Sequence, residues 1–152
     1  MASRAEDILE TVLTLITGLT TTGANVQRGQ VYAHEESKLP ALSLSMGPDV
    51  PENELQTGQI YWQLTIAIQS TVKISAAYIA NESAIETQLN LIRAEVHAAL
   101  FADHTLGLSF VSDIAPGPAG EPVIDGAGDL PIASQLLTFG ILYKTSRAAL
   151  DA

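Results

Sequence analysis

An α+β fold, with a mainly antiparallel sheet containing two long strands and two helices packed on one face, follows from three features of the sequence. Residues 59–72, QIYWQLTIAIQSTV, alternate Ile60, Trp62, Leu64, Ile66 and Ile68 with Tyr61, Gln63, Thr65, Ala67 and Gln69, the period of two that marks a strand with one apolar face. Residues 132–145 do the same, with Leu137, Phe139, Ile141 and Tyr143 on one side and Ser134, Leu136, Thr138 and Gly140 on the other. Two further segments repeat apolar residues every three or four positions, the period of an amphipathic helix. The resulting order is α-β-β-β-α-β-β, with runs of strands separated by two helices, which favours an α+β arrangement with both helices on one face.

The first helix starts from Ser3, which with Glu6 forms a capping box: Ser3 accepts from the backbone of residue 6 and Glu6 reaches back. Ile8, Val12, Leu15, Ile16 and Leu19 form its stripe, Leu9 and Leu13 widen it, and Gly18 stops the helix after about Thr17. Residues 25–34 predict a short strand and residues 35–38 (EESK) a charged turn. Pro40 opens the next strand, a position where proline is tolerated, and Leu42, Leu44 and Met46 alternate with Ser43 and Ser45. Gly47-Pro48-Asp49 and Pro51-Glu52-Asn53 have turn composition and are expected to end it. After the long strand, Asn81-Glu82-Ser83 opens the second helix, with Ser83 and Glu86 as a second capping box. Ile85, Leu89, Ile92, Val96 and Leu100 form its inner stripe, and Glu82, Glu86, Gln88, Arg93 and Glu95 lie elsewhere on the wheel. Residues 108–114 predict a strand. Residues 115–130, APGPAGEPVIDGAGDL, are rich in Gly and Pro and predict a flexible loop, far longer than the usual ~4–6 residues. The tail, 146–152, is expected to fray.

A chain of 152 residues is expected to form one domain, 1–152. Apolar residues make up 47%, while charged residues are only 16% against an average of about 25%, so part of the surface is expected to face something other than bulk water. The net charge of −10, from 17 acidic and 7 basic residues, argues against a phosphate-neutralising nucleic-acid face and against docking on anionic membrane. Cysteine is absent, which removes disulfides, a thiolate nucleophile and Cys-type zinc sites. No signal-peptide pattern opens MASRAEDILE and no apolar run has spanning length; a soluble, intracellular product is expected.

Several candidate sites fail on chemistry. His34 beside Glu35 and Glu36, His97, and His104 after Asp103 are too scattered for the three or four converging ligands of a metal site. Gly117, Gly120, Gly126 and Gly128 lack the lysine and following helix of a phosphate loop. Residues 125–129 lack the alternating Asp and distal Glu of a calcium loop. No GxSxG elbow is present, and Glu35/Glu36 and Glu52/Glu54 fall in polar turns. No enzyme activity and no cofactor is expected. What remains is the second face of the long strands. Tyr61, Gln63, Thr65, Gln69, Ser43, Ser45, Thr138 and Gln135 would form a polar but uncharged surface, and depletion of charge with retained aromatics is a feature of interface cores. Long strands also leave edges, which a ring of subunits would protect by pairing.

Taken together, the helix ILETVLTLITGL, the segment LPALSLSMG, the long strand QIYWQLTIAIQSTVK, the helix ESAIETQLNLIRAEVHAAL and the closing strand LLTFGILYKTS resemble the tail terminator proteins of long-tailed bacteriophages, the minor tail protein U-like group. The resemblance covers nearly the whole chain and rests on the order and length of elements. It implies a structural virion protein forming a ring, usually of six subunits, at the head-proximal end of the tail and assembled in the host cytoplasm. One face of such a ring meets the tail tube protein and stops its polymerisation; the other presents the docking surface for the neck or head-completion protein. Genomic DNA passes through the hole without specific binding, and an acidic lumen would let it slide. Within this resemblance, Tyr61, Gln63, Thr65, Gln69 and Thr138 are expected at subunit contacts, and Glu121, Asp125 and Asp129 in the lumen or on a ring face. A head–tail connector, a tube-forming tail protein and a soluble ligand-binding α+β domain are the competing expectations.

Overall fold

The computed structural model describes residues 2–29, 39–54, 58–74, 82–125 and 131–151. Among them are helices α1 (Arg4–Ile16) and α2 (Glu82–Phe101), and strands β1 (Val26–Arg28), β2 (Ala41–Glu54), β3 (Gln59–Lys73), β4 (Val111–Ala119), β5 (Val123–Asp125) and β6 (Ile132–Ser146). The six strands form one sheet in the order β1-β2-β3-β6-β4, with β5 also on β6. All pairings are antiparallel except β1 with β2. The fold is therefore α+β.

β3 and β6 form the centre of the sheet. They pair without a register shift from Gln59↔Ser146 to Lys73↔Ile132, a span of about 50 Å at ~3.3 Å per residue. Their alternation settles which face is which. Leu64, Ile66, Ile68 and Val72 of β3 and Leu137, Phe139, Ile141 and Tyr143 of β6 are buried, and both helices lie on that side. α2 buries Ile85, Leu89, Ile92, Val96 and Leu100, the stripe its periodicity predicts, each contributing roughly 1.5–3 kcal/mol of apolar burial. α1 buries Ala5, Ile8, Leu9, Val12 and Ile16. Leu15, expected in the stripe, is at the rim, 36% exposed.

The ends of α1 are chemically defined. Ser3 Oγ accepts from the Glu6 amide at 3.2 Å, and Gly18 follows the Thr17 cap at φ +90°. The reciprocal half of the capping box is not made: the Glu6 carboxylate is bonded to Arg28 on β1. α2 begins at Glu82, just ahead of the expected Ser83 cap, and Asn81 lies outside the described residues. The 25–34 strand is observed as Val26–Arg28, and the 35–38 turn lies outside the described residues. The tail is tied down, because the Arg4 amide donates to Leu150 O at 3.0 Å.

Two expectations about loops are corrected. β2 does not end at Gly47 but continues to Glu54, with register shifts between Met46/Asp49 and Pro51/Asn53. Residues 115–130 are not one loop. β4 runs through Pro116 and Pro118 to Ala119, and Val123–Asp125 returns to the ladder as β5. Both strands lie on the outer side of β6 and together act as one interrupted edge. Proline lacks a ladder donor but is tolerated at edges and bulges. A register shift falls between Pro116 and Ala119 in β4, as one does beside Pro48 in β2. The long, continuous partner strand supplies the pairing that local composition does not announce.

Candidate functional site

The side of the sheet away from the helices is an open face. Its centre is built in four rows from the register. Val50, Gln63, Leu142 and Asp113 form the first, Thr65, Gly140 and Ala115 the second, Ser45, Ala67 and Thr138 the third, and Ser43, Gln69 and Leu136 the fourth. Tyr61 lies beyond the first row, opposite Lys144. All five residues expected at subunit contacts, Tyr61, Gln63, Thr65, Gln69 and Thr138, thus share this face. Gln135, assigned to it from sequence, does not. It has the parity of Leu137, is buried with the core, and its Nε2 donates to Gly120 O at 3.0 Å.

The middle rows are flat because their residues are small. The close approach of strands and side chains leaves little room for a β-carbon at Gly47, Gly117 or Gly140. A β-carbon on Gly47 would stand 2.8 Å from Thr65 O, and one on Gly140 would collide with Gln63 Nε2. The Gln63 amide therefore lies across Gly140. The Thr138 hydroxyl donates to Pro118 O at 2.7 Å, so its polar group is engaged within the sheet. Among the described residues, formal charge on this face appears toward its ends, as Lys144 and as Asp113, whose carboxylate accepts from the adjoining Ile114 amide at 2.9 Å, and at the opposite end as Lys73 and Asp125, both paired with Ile132. Three apolar side chains on the face escape a reading based on charge: Leu142, half-buried, Val50, 52% exposed, and Leu136, 46% exposed. Val123, paired with Ser134, extends the apolar corner beside Leu136. The alternation of β6 alone places Leu136 outward, so its apolar character was open to be counted.

On the helix side, the distal end of the sheet carries a polar bridge. Trp62 Nε1 donates to Thr145 Oγ1 at 2.9 Å, and Tyr143 donates to Asp49. Burial, reinforced by Asp49, pushes the Tyr143 phenol well above the usual tyrosine range.

Glu121 is exposed between β4 and β5, Asp125 is exposed within β5, and Asp129 lies outside the described residues. His34, Glu35, Glu36, Gly126 and Gly128 also lie outside them. His97 stacks on Phe101, with ring centroids 4.3 Å apart and planes 12° from parallel. Asp103 accepts from the Thr105 amide at 2.9 Å and hydroxyl at 2.8 Å, which hold its carboxyl below the usual range. Among the described residues no three His, Asp or Glu side chains are grouped to hold a metal ion, and no helix is long and apolar enough to cross a membrane.

The chain matches no protein-family model and no curated protein. What the described residues present is the open face itself: broad, low in charge at its centre, with neutral hydrogen-bonding groups and a few apolar side chains.

Proposed function

We propose that the chain is a structural subunit of a phage tail: a terminator that forms a ring of its own copies, six by the resemblance above, on the end of the tail tube. The ring ends tube polymerisation and offers its other side to the neck. The observation that carries this reading is the open face of β2, β3, β6 and β4, whose middle rows hold no formal charge. A solvated antiparallel face ordinarily carries charged side chains; a face whose middle lacks them, in a chain of net charge −10, suits burial against another protein surface. The excess of acid elsewhere suits a lumen through which DNA passes without adhering.

Tail tube protein and a neck protein are the partners in this reading, and the head-proximal end of the virion tail is its place. The role is structural rather than enzymatic. Subunits related head-to-tail around a closed ring use two different patches of the same chain, so a substitution on one patch weakens every contact in the ring. Native mass spectrometry of the chain, alone and with purified tail tubes, tests the proposal. Rings alone or caps on tube ends support it; a chain that stays monomeric in both settings and caps no tube ends it.

A further inference from the structure

One register row crosses the whole sheet: Arg28 on β1 pairs Leu44 on β2, Leu44 pairs Ile68 on β3, Ile68 pairs Leu137 on β6, and Leu137 pairs Ala119 on β4. The two ends of this row, four strand spacings or about 19 Å apart, carry opposite and unequal charge. At the β1 end, the single guanidinium of Arg28 holds two carboxylates of α1, Glu6 and Glu10, the latter at 2.8 Å. The Glu10 side chain is 60% exposed and, among the described residues, its carboxylate bonds Arg28 alone, while a carboxylate has about four acceptor positions.

At the β4 end, Arg93 and His97, one turn apart on α2, overhang the edge of the sheet. With Pro116, Ala119, Leu137 and Phe139 they line a cleft of about 30 Å³. That is room for roughly two water-sized groups, the size of the two oxygens of a carboxylate. Arg93 makes no ion pair or hydrogen bond among the described residues. His97 is held in place by its stack on Phe101. The cleft thus presents two donors, one of them held by stacking, on an apolar floor without an acid, at the same height in the sheet as an acid with spare acceptor capacity on the opposite edge.

We infer that Arg93 and His97 receive the Glu10 carboxylate of a neighbouring copy of this chain, making the lateral contact of a head-to-tail ring. The inference rests on the ring reading and names its charged seam. Both patches belong to one chain, they differ from each other, and the shared row sets them level, which is the requirement for a heterologous contact that closes. Arg28 remains bonded to Glu10 in the assembly, so the seam is a chain of Arg28, Glu10 and Arg93 with Glu6 balancing the excess cation. Guanidinium–carboxylate pairing of this kind adds orientation as well as attraction.

The experiment uses the full chain and charge reversal at two exposed positions. Native mass spectrometry and sedimentation are run on wild type, R93E, E10R, the R93E/E10R chain, and an equimolar mixture of the two single variants, with circular dichroism as the fold control. Each single variant is expected to assemble on the order of tenfold or more weakly. The doubly reversed chain recovers assembly. So does the mixture, because in a ring of alternating variants the two introduced charges meet each other at one contact and the native Arg93 and Glu10 meet at the next. A misfolded variant could not be rescued this way. Rings of R93E as stable as wild type, or reversed pairs that fail to recover, overturn this contact and leave the ring reading standing. A wild-type chain that never assembles, alone or on tail tubes, overturns the ring reading itself.

Discussion

The Tyr143 hydroxyl donates to Asp49 Oδ2 across 2.5 Å, joining β6 to β2 over the intervening β3. Asp49 Oδ1 is buried and has no partner among the described residues, so the phenol is the donor this carboxylate depends on. Tyr143→Phe is expected to destabilise the chain by about 1–3 kcal/mol, the cost of leaving a buried acceptor unmet; urea unfolding of the two proteins measures it.

The same pair sets an alkaline limit. The phenol's raised pKa means that the unfolded chain releases this proton first. Its contribution to stability is complete below pH ~10 and is lost as pH rises beyond that value. Tyrosinate absorbance should show one of the tyrosines titrating late, and melting temperature should fall over the same range. Tyr143→Phe removes the late titration.

At the other margin the sign reverses. The hydrogen bond from Arg28, then its charge, holds the Glu6 carboxyl below the usual range. Stability from this contact is present above pH ~4.3 and declines as pH falls below it, because the unfolded chain takes up the proton first. In Arg28→Ala the Glu6 carboxyl should titrate in the ordinary glutamate range by carboxyl NMR, with a small loss of stability at neutral pH, since the pair is exposed.

Two of the close-packed glycines, Gly47 and Gly140, should respond differently to alanine. At Gly47 the obstacle is the backbone carbonyl of Thr65; at Gly140 it is the far end of the Gln63 side chain, which can swing away. Gly47→Ala should cost about 1–3 kcal/mol as overpacking against backbone. Gly140→Ala should cost less in chemical denaturation but move Gln63 off the sheet, roughening the proposed contact surface.

Much of this architecture is legible in the chain because period-two and period-3.6 patterns report burial directly. The inward set Leu137, Phe139, Ile141 and Tyr143 and the helix stripe Ile85, Leu89, Ile92, Val96 and Leu100 are buried as their spacing dictates. Residues governed by distant partners are not legible in this way. Pro116 and Pro118 read as a loop, yet β6 holds them in an edge strand. Pro48 and Pro51 read as a stop, yet β3 carries β2 past them with bulges. Glu6 has the spacing of a capping box, but a guanidinium 22 positions away outcompetes the neighbouring amide. Gln135 is polar and reads as outward, although the alternation of β6 turns it inward, where its Nε2 donates to Gly120 O. In the open face, the uncharged character is readable; its flatness requires the register that brings Ala67, Thr138 and Gly140 together.

Thr65→Glu puts a carboxylate in the middle of that face without touching the core. At this half-buried strand position outside the core it should change monomer stability by about 1 kcal/mol or less, while a charge buried in an assembly without a partner is strongly opposed. Native mass spectrometry of wild type and Thr65→Glu over a range of concentrations, with and without tail tubes, therefore decides whether this face builds the ring. Wild-type rings or tube-end caps are expected and, for Thr65→Glu, a folded chain that remains monomeric and leaves tube ends uncapped. A wild-type chain that is monomeric under every condition, or a Thr65→Glu chain that assembles as well as wild type, would contradict the assignment.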